Sequence, residues 1–280
     1  MAFNATDNTA ADLTDDVITG SFRLYQRRRG HRYSIDDVLT AFVACRVAAA
    51  EERGVTQAMD LGTGIGSVLH MVAWKFPEAE LVGIEAQTES IALARRNVVR
   101  NELAARVTLF EGDLRDVSLR DTIGGERFEL VTGTPPYFPP GTAIPSPDAQ
   151  RAHARIEYRG GVEAYLEAAR FFAVPGAPIV LCAEARTADR VREAATRLGL
   201  VPEARLDAVP REGEPVLFSV WTLRHGVPAR SLAEEPPFVA RDRGGERTAQ
   251  SWALREFFGV PKHARDKQGR EPRDTETNEP

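Results

Sequence analysis

The sequence predicts an α/β fold built on a doubly wound, mostly parallel sheet that carries an antiparallel hairpin at one edge. From Val55 onward, strand patterns alternate with helical patterns, which is typical of parallel strands joined by crossover helices. Near the end of this region, a run of turn residues separates two further strand patterns. With 42% hydrophobic and 28% charged residues among 280, the chain is not collagen-like, coiled-coil or disordered along its whole length.

Strands and helices in the alternating region follow from the spacing of the apolar residues. The parallel strands are predicted at 56–61, 80–84, 106–110, 128–132 and 178–183. The helices between them are predicted at 66–76, 88–103, 161–173 and 187–198. Thr88 is the expected N-cap of its helix, and Gly199 ends the last one. The edge hairpin is predicted from the runs 204–209 and 216–223 around turn residues at 210–215.

Two segments of different character precede this region. Residues 1–20 are polar and lack apolar periodicity, so we expect them to be disordered. Residues 21–52 are predicted to form a basic segment followed by a helix. That helix runs from Ser34 to Ala50, with Ser34 as its N-cap and two acids in its first turn.

The remaining domain boundaries follow from composition. The α/β domain is expected at 53–226. Residues 227–280 are rich in Pro, Arg and Glu and are predicted to form a C-terminal extension. Within it, 251–258 is a short amphipathic stretch, and disorder is expected from about residue 262 because large apolar side chains are absent there.

Charge and cysteine content limit the function classes. The net charge of -5 gives no bulk sign of nucleic-acid binding, although arginines concentrate at 23–32. Cys45 and Cys182 cannot by themselves form a disulfide framework or a four-ligand zinc site, and His31 and His153 lack metal-ligand spacing. Residues 1–16 lack the basic region followed by an apolar run that would support a secretory signal, and no stretch approaches about 20 apolar residues. We therefore expect a cytoplasmic protein without a membrane span or a bound metal.

The first strand of the alternating region runs into a glycine-rich turn that opens a helix. This turn reads Asp60-Leu61-Gly62-Thr63-Gly64-Ile65-Gly66. Glycines at alternate positions let the backbone turn tightly and let a ligand approach the amide groups at the helix N-terminus. The pattern therefore predicts that Gly62, Thr63, Gly64 and Gly66 bind a nucleotide-like cofactor.

Acidic residues follow the next two strands. Glu85 lies about 20 residues beyond the glycine loop, where an acid accepts hydrogen bonds from both ribose hydroxyls of a bound nucleotide. Asp113 lies on the rim of the same crevice and can accept from an adenine amino group. The alternative for both residues is an acid that caps a helix or faces solvent.

The glycine loop, Glu85 and Asp113 together indicate a resemblance to a known family. A dinucleotide fingerprint has the spacing G-x-G-x-x-G, whereas this loop is compressed to G-x-G-x-G. With that loop, residues 55–183 resemble the class I S-adenosylmethionine-dependent methyltransferases, which have a Rossmann-like fold. The resemblance implies S-adenosyl-L-methionine as the cofactor, and it implies that Asp60 lies near the methionine end of the cofactor.

A rigid turn follows the fourth strand and reads Thr134-Pro135-Pro136-Tyr137-Phe138. It is similar to the Asn-Pro-Pro-Tyr motif of amino-methyltransferases, in which the first side chain and the first proline carbonyl accept the two protons of an exocyclic amine. In that motif the aromatic residue stacks on the base, a role the resemblance gives to Tyr137. Because Tyr137 and Phe138 directly follow two prolines, base stacking is the favoured role for both, and the alternative is ordinary packing within the loop. Thr134 departs from the motif, because its hydroxyl accepts one hydrogen bond but must also place its own proton.

A narrower resemblance is to bacterial tRNA adenine-N6 methyltransferases. It rests on the sequence from Arg29 to Asp36, on the Pro-Pro-Tyr-Phe turn and on the sequence from Arg151 to Tyr158. The resemblance implies that Tyr33, Ser34 and Asp36 line the cofactor pocket. It also implies that a loop at 141–161, with Arg151 and Arg155, approaches an RNA. Arg27, Arg28 and Arg29 are candidate phosphate contacts because their cluster adjoins the predicted site, and the alternative for them is a solvated surface.

The most direct interpretation is methylation of an exocyclic amine of an RNA base, with adenine N6 of a tRNA as the leading target. Cytosine-C5 chemistry is disfavoured because it needs a cysteine nucleophile, and neither cysteine lies in the Pro-Pro-Tyr turn. The alternatives are N-methylation of a protein glutamine or of a small molecule. A further alternative is a catalytically inactive protein that binds the cofactor or RNA, since Thr134 replaces the motif asparagine.

Overall fold

An eight-stranded sheet forms the centre of the computed structural model, which describes residues 12–125 and 127–261. Numbered along the chain and given in their order across the sheet, the strands are β10 (Ala233–Val239), β8 (Leu200–Val209), β9 (Phe218–His225), β7 (Ile179–Glu184), β6 (Leu130–Gly133), β3 (Gln57–Leu61), β4 (Glu80–Glu85) and β5 (Val107–Glu111). A separate antiparallel pair is formed by β1 (Leu13–Val17) and β2 (Arg23–Arg27).

Strand order creates a crevice at the middle of the sheet. The chain passes from β3 outward to β4 and β5, then returns to place β6 and β7 on the other side of β3, and all of these strands are parallel. Loops leaving the carboxyl ends of β3 and β6 therefore diverge to opposite faces. Open α/β sheets bind ligands at such a switch point.

Helices cover both faces of the sheet. One face is covered by α1 (Ile35–Ala49), α2 (Ser67–Lys75), α3 (Thr88–Arg100) and α8 (Ala249–Phe257). The other face is covered by α4 (Val117–Ile123), α6 (Val162–Phe172) and α7 (Ala188–Leu198), and α5 (Ala149–Arg155) lies in the connection between β6 and α6. Strand side chains alternate between the two cores, so Ala58 packs on the α1 face and Met59 on the α6 face.

The strands and helices predicted in the alternating region are present, with small shifts at their ends. The prediction for Thr88 was wrong in one respect. Gln87 occupies the N-cap position, and the Thr88 hydroxyl donates to Glu111 at 2.7 Å. The loop predicted at 141–161 also contains a helix, α5, because Asp148 accepts from the Arg151 backbone N–H at 2.9 Å and caps its N-terminus.

The predicted hairpin is present, but it is not at the edge. Its second strand, β9, lies antiparallel between β7 and β8, and β8 then pairs in parallel with β10. Composition concealed this edge strand because β10 contains Pro236 and Pro237. Both prolines lie where the register with β8 shifts, between Glu235 and Phe238. Proline is tolerated at such an irregular edge position since the missing N–H interrupts no regular pairing.

The N-terminal segment is ordered where the structure describes it. Residues 13–17 form β1, so the prediction of disorder over 1–20 was wrong for this part, while residues 1–11 and 262–280 lie outside the described chain. Asn97 of α3 explains the order. Its Oδ1 accepts from the Tyr25 backbone N–H at 2.7 Å, and its Nδ2 donates to the Tyr25 carbonyl at 3.2 Å.

Ser34 caps α1 as predicted, with Asp36 and Asp37 in the first turn. The predicted stretch at 251–258 corresponds to α8, which packs against α1 through an edge-to-face contact of Phe42 and Phe257 with ring centroids 4.8 Å apart. Among the described residues, no helix has both the length and the apolar character needed to cross a membrane.

Candidate active site

The glycine loop joins β3 to α2 in a conformation that favours glycine. Gly62, Gly64 and Gly66 have φ angles of 61°, 58° and 88°. A Cβ atom on Gly62 would lie 2.0 Å from the Tyr165 hydroxyl of α6, so a side chain at this position would collide with the cleft wall. The Thr63 backbone N–H donates to the Ile84 carbonyl at 2.9 Å and holds the loop against the end of β4.

Asp60 lies beneath this loop rather than in the cleft. Its carboxylate accepts from the Thr63 hydroxyl at 2.6 Å and from the Thr132 hydroxyl of β6 at 2.8 Å. Burial raises the pKa of Asp60 to about 6. The structure therefore gives Asp60 the role of fixing the loop to the two central strands, while the cleft itself is lined by other residues.

Glu85 ends β4 and contacts the glycine loop directly at the cleft wall. Its Oε2 accepts from the Gly64 backbone N–H at 2.9 Å, and its Oε1 accepts from the Gln87 N–H at 2.7 Å. The side chain is 6% exposed, and burial raises its pKa. An ionised carboxylate has about four lone-pair sites, so Glu85 retains acceptor capacity for ribose hydroxyls.

Asp113 lies on the cleft rim as predicted, but its carboxylate has a partner. Arg115 donates to it from its backbone N–H, from Nε at 2.9 Å and from Nη2 at 2.7 Å. Burial opposes ionisation of Asp113, yet the hydrogen bonds from Arg115 prevail and lower its pKa. Asp113 is therefore a fixed, ionised acceptor at the mouth of the cleft.

The cleft lies over the switch point and has about 830 Å³ of space between its walls, including space open to solvent. The glycine loop, the ends of β4 and β5, and residues 153–160 form its walls. Of the N-terminal residues expected to line it, Tyr33 does so.

Ser34 and Asp36 are placed elsewhere. Ser34 starts α1, and the Asp36 Oδ2 lies 3.2 Å from the Tyr137 hydroxyl. The N-terminal residues that do reach the cleft beside Tyr33 are His31 and Asp37. Sequence reasoning missed both as site residues. In the sequence, Asp37 is predicted only to interact with the α1 helix dipole. Its position directly after Asp36, which was predicted to line the pocket, is the signal that could have identified it.

The Pro-Pro-Tyr turn reaches the cleft through only part of its length. Thr134 and Pro136 line the cleft, while Pro135 is buried behind them. The Tyr137 ring packs parallel to Phe218 with centroids 6.5 Å apart. The partly buried Tyr137 side chain therefore packs against the core, outside the cleft lining, and is not positioned to stack on a base in the cleft.

Residues 155–157 hold the turn in place. The Tyr137 and Phe138 backbone N–H groups both donate to the Arg155 carbonyl, at 3.2 and 3.0 Å, and the Glu157 N–H donates to the Phe138 carbonyl at 2.9 Å. The Arg155 guanidinium lies over the Phe138 ring, 5.4 Å from its centroid. Phe138 and Arg155 thus form one aromatic and cationic surface next to the cleft.

Two of the arginines predicted to contact RNA are engaged within the protein. Arg27 pairs with Glu89 at 3.1 Å and with Asp148 at 3.0 Å. The Arg151 Nη2 donates to the carbonyls of Arg29 and Gly30, at 3.0 and 3.1 Å. These contacts tie the N-terminal segment to α5. The side chains of Arg28 and Arg29 are exposed beside these contacts.

Tyr165 and Gln150 are further residues that the sequence patterns did not single out. Tyr165 lies on the buried face of α6 and lines the cleft with its hydroxyl against Gly62, and burial raises its pKa well above the usual range. The buried Gln150 donates to the Ser90 hydroxyl at 3.1 Å and accepts from the His31 N–H at 3.1 Å. Both have the periodicity of core positions, so no local sequence signal separates them from packing residues.

The chemistry available in the cleft comes from acceptors and backbone amides. Both cysteines are buried, and burial raises the pKa of Cys45 to about 12 and that of Cys182 well above its usual value, so neither is an available nucleophile. Within 12–125 and 127–261, no group of three or more His, Cys, Asp or Glu side chains is placed to hold a metal. The arrangement suits binding of a nucleoside next to a rigid turn of carbonyl and hydroxyl acceptors.

Comparison with known proteins agrees with this geometry. A family model described as a methyltransferase domain matches residues 58–138. A tRNA1(Val) (adenine(37)-N6)-methyltransferase from Porphyromonas gingivalis is 30% identical over 183 residues, which cover 65% of this chain and 69% of that protein. A release factor glutamine methyltransferase from Geobacter sulfurreducens is 43% identical over 81 residues, 29% of this chain and 26% of that protein.

Among solved structures, a predicted O-methyltransferase from Agrobacterium tumefaciens superposes with a TM-score of 0.62. It is 22% identical, and the alignment covers 81% of this chain and 98% of that chain. This similarity shows that the fold is Rossmann-like, with the strand order described above.

Proposed function

The chain belongs to the class I S-adenosylmethionine-dependent methyltransferases, in the family of the Porphyromonas gingivalis relative, and from this premise we propose that it methylates an exocyclic amine of an RNA base. The leading target is adenine N6 of a tRNA. One observation carries the proposal: the glycine loop after β3 and the Thr134-Pro135-Pro136 turn after β6 meet in a single cleft. A cofactor-binding loop and an amine-accepting turn are the two parts that this reaction needs.

Cleft residues fit S-adenosyl-L-methionine, the cofactor of this enzyme class. Gly62 lines the cleft and has no room for a side chain, because a Cβ atom there would lie 2.0 Å from the Tyr165 hydroxyl. Glu85 is buried with its carboxylate fixed by two backbone N–H groups, which orients its remaining lone pairs toward ribose hydroxyls. Bound S-adenosyl-L-methionine supplies an electrophilic methyl group on a sulfonium centre.

The protein's own contribution is positioning and hydrogen bonding. The lone pair of an adenine amine is delocalised into the ring, so acceptors that bind its two hydrogens localise the pair on nitrogen. Thr134 and the carbonyl of Pro136, the two residues of the turn that line the cleft, can provide such acceptors. Holding the amine in line with the methyl group then lowers the barrier without a covalent enzyme intermediate.

Surface chemistry next to the cleft supports a nucleic-acid substrate. Phe138 and Arg155 offer an aromatic face with a cation above it, an arrangement on which unpaired bases stack. Arg28 and Arg29 are exposed at the adjoining N-terminal segment and are suited to phosphate contacts. An anticodon-loop base is already unpaired, so presenting it to the cleft costs little unstacking energy.

The test is methyl transfer from S-adenosylmethionine with a tritiated methyl group to separate tRNA, rRNA and protein fractions from a strain that lacks the gene. We expect label in tRNA, and a Glu85→Ala variant should abolish it at low cofactor concentration. Asp189→Asn is the control, because this side chain is 88% exposed on α7. Label in protein alone would replace the RNA proposal with glutamine methylation, and label in no fraction would support an inactive binding protein.

A further inference from the structure

Asp37 is a buried acid in the cleft that the family motifs do not assign. It lies in the first turn of α1 and is 6% exposed, yet it lines the cleft together with Thr134 and Pro136. Its Oδ1 lies 3.5 Å from the Thr134 hydroxyl, the side chain that stands in place of the motif asparagine. A carboxylate therefore faces the one position where the amine-binding turn has changed.

The Asp37 side chain is fixed in this orientation. Its Oδ2 accepts from the Ser34 backbone N–H at 2.8 Å, and Ser67 at the start of α2 also hydrogen-bonds the carboxylate. Oδ1 is the atom turned toward Thr134. Two acceptor oxygens 3.5 Å apart can both lie about 2.9 Å from a single nitrogen, which is ordinary hydrogen-bond distance.

We propose that Asp37 is the proton acceptor of the methyl-transfer site, binding the incoming amine jointly with Thr134. This inference rests on the proposed N-methylation. A threonine hydroxyl is a weaker amine acceptor than an asparagine carbonyl because its own proton must be placed elsewhere. Asp37 resolves this, since the Thr134 hydroxyl donates to the carboxylate and leaves its lone pairs free for the substrate.

The transfer step balances with Asp37 in this role. The nitrogen lone pair forms the new bond to the methyl carbon, while the carbon–sulfur bond breaks and its electron pair returns to sulfur. The methylated nitrogen is then positively charged and loses one proton to the Asp37 carboxylate. That proton passes to solvent when the product leaves the cleft.

Burial favours a proton acceptor that works near neutral pH. Desolvation, reinforced by the adjacent Asp36, raises the pKa of Asp37 to about 7. The other titratable groups that interact with it are Asp60 at the end of β3, Tyr33 before α1 and Cys182 on β7. A general base is most effective when its pKa lies near the working pH.

The test compares single-turnover methyl transfer by the full chain and by Asp37→Asn at saturating S-adenosylmethionine, using whichever cell fraction the unmodified protein labels. Asparagine preserves shape and one acceptor oxygen but takes up no proton. We expect a rate loss of about 100-fold or more and loss of the rise in rate between pH 6 and 8, as for removal of a general base. Asp189→Asn on exposed α7 should keep the rate and the pH profile.

A second pair of variants separates chemistry from folding. Asp37→Ala should be inactive, and adding Thr134→Asn should recover at least about tenfold in rate, because the amide supplies the missing acceptor. Cofactor affinity measured by calorimetry should change less than about threefold in Asp37→Asn. A cofactor affinity that falls while the saturated rate stays unchanged would overturn the inference and make Asp37 a cofactor ligand.

The same measurements judge the proposed function separately. The identity of the labelled fraction tests the RNA substrate, whereas the ratio of variant to unmodified rate tests Asp37. Label in protein with an intact Asp37 dependence would overturn the RNA substrate and support the role of Asp37. An Asp37→Asn variant that labels tRNA at the unmodified rate and with the unmodified pH profile would overturn Asp37 alone.

Discussion

Replacing Glu85 with alanine should weaken cofactor binding more than any other single change to the cleft acids. Its carboxylate is 6% exposed, with one oxygen on the Gly64 N–H at 2.9 Å and the other on the Gln87 N–H at 2.7 Å. Removing it deletes the proposed acceptor for ribose hydroxyls and also removes the hydrogen bond to the glycine-loop backbone. The change therefore acts on both the ligand contact and the shape of the loop.

The magnitude follows from the charge on the acceptor. A hydrogen bond to a charged group contributes about 1.5–3 kcal/mol. At about 1.4 kcal/mol per factor of ten, Glu85→Ala should raise the dissociation constant for S-adenosylmethionine roughly 10- to 150-fold. Glu85→Gln keeps one acceptor oxygen, so its dissociation constant should lie between those of the unmodified protein and of Glu85→Ala.

Isothermal calorimetry measures the effect directly, and thermal unfolding checks that each variant is folded. Glu111→Ala is the matched control, because Glu111 pairs with Glu85 in the β4–β5 register but lies outside the cleft and bonds to Thr88 and Arg95. Its dissociation constant should stay within about threefold of the unmodified value, well below the effect of removing a charged hydrogen bond. A folded Glu85→Ala protein that binds the cofactor as tightly as the control would refute the assignment of the ribose contact.

Other parts of the structure make three further predictions. Because burial raises the pKa of Asp37 from 3.8 to about 7, the folded state holds a proton that the unfolded chain releases, so the free energy of unfolding should fall as pH rises from about 4 to 7. Asp37→Asn should remove up to about 3 kcal/mol of the fall between pH 5 and pH 8, because about two pH units of that interval lie below the raised pKa; urea unfolding at the two pH values measures this, and an unaltered difference would contradict it. Asn97→Ala should cost about 2–3 kcal/mol, since it leaves the Tyr25 N–H without its 2.7 Å partner, and an unchanged thermal midpoint would count against the anchoring of β2. Replacing Arg28 and Arg29 by alanine should reduce the salt slope of RNA binding by roughly 0.7–0.9 for each phosphate that the variant no longer neutralises, and an identical slope would exclude this surface.

Much of the fold was predictable because local and tertiary preferences agree in the parallel region. The ends of β3 and β4, at Leu61 and Glu85, and the glycine loop after β3 follow from a pattern of few residues. The edge strand β10 was not predictable in this way. Its pairing depends on the exposed side of β8, and its two prolines are acceptable only because the register shifts there.

The candidate site was likewise predictable only in part. The sequence motifs located the residues whose backbone conformation is demanding, such as Gly62, and the acid Glu85 at a fixed distance from it. They did not indicate which way side chains point. Tyr137 turns into the core against Phe218 and Arg27 into a cluster of acids, whereas Asp37 turns into the cleft, because these orientations depend on neighbours distant in sequence.

Nucleoside mass spectrometry of tRNA is the most direct measurement of the proposed activity. Total tRNA from a strain that lacks the gene would be incubated with the purified protein and S-adenosylmethionine, digested and compared with untreated tRNA. We predict the appearance of N6-methyladenosine in one tRNA, dependent on Glu85 and Asp37. Absence of any new methylated nucleoside, with a cofactor-binding protein confirmed by calorimetry, would contradict it.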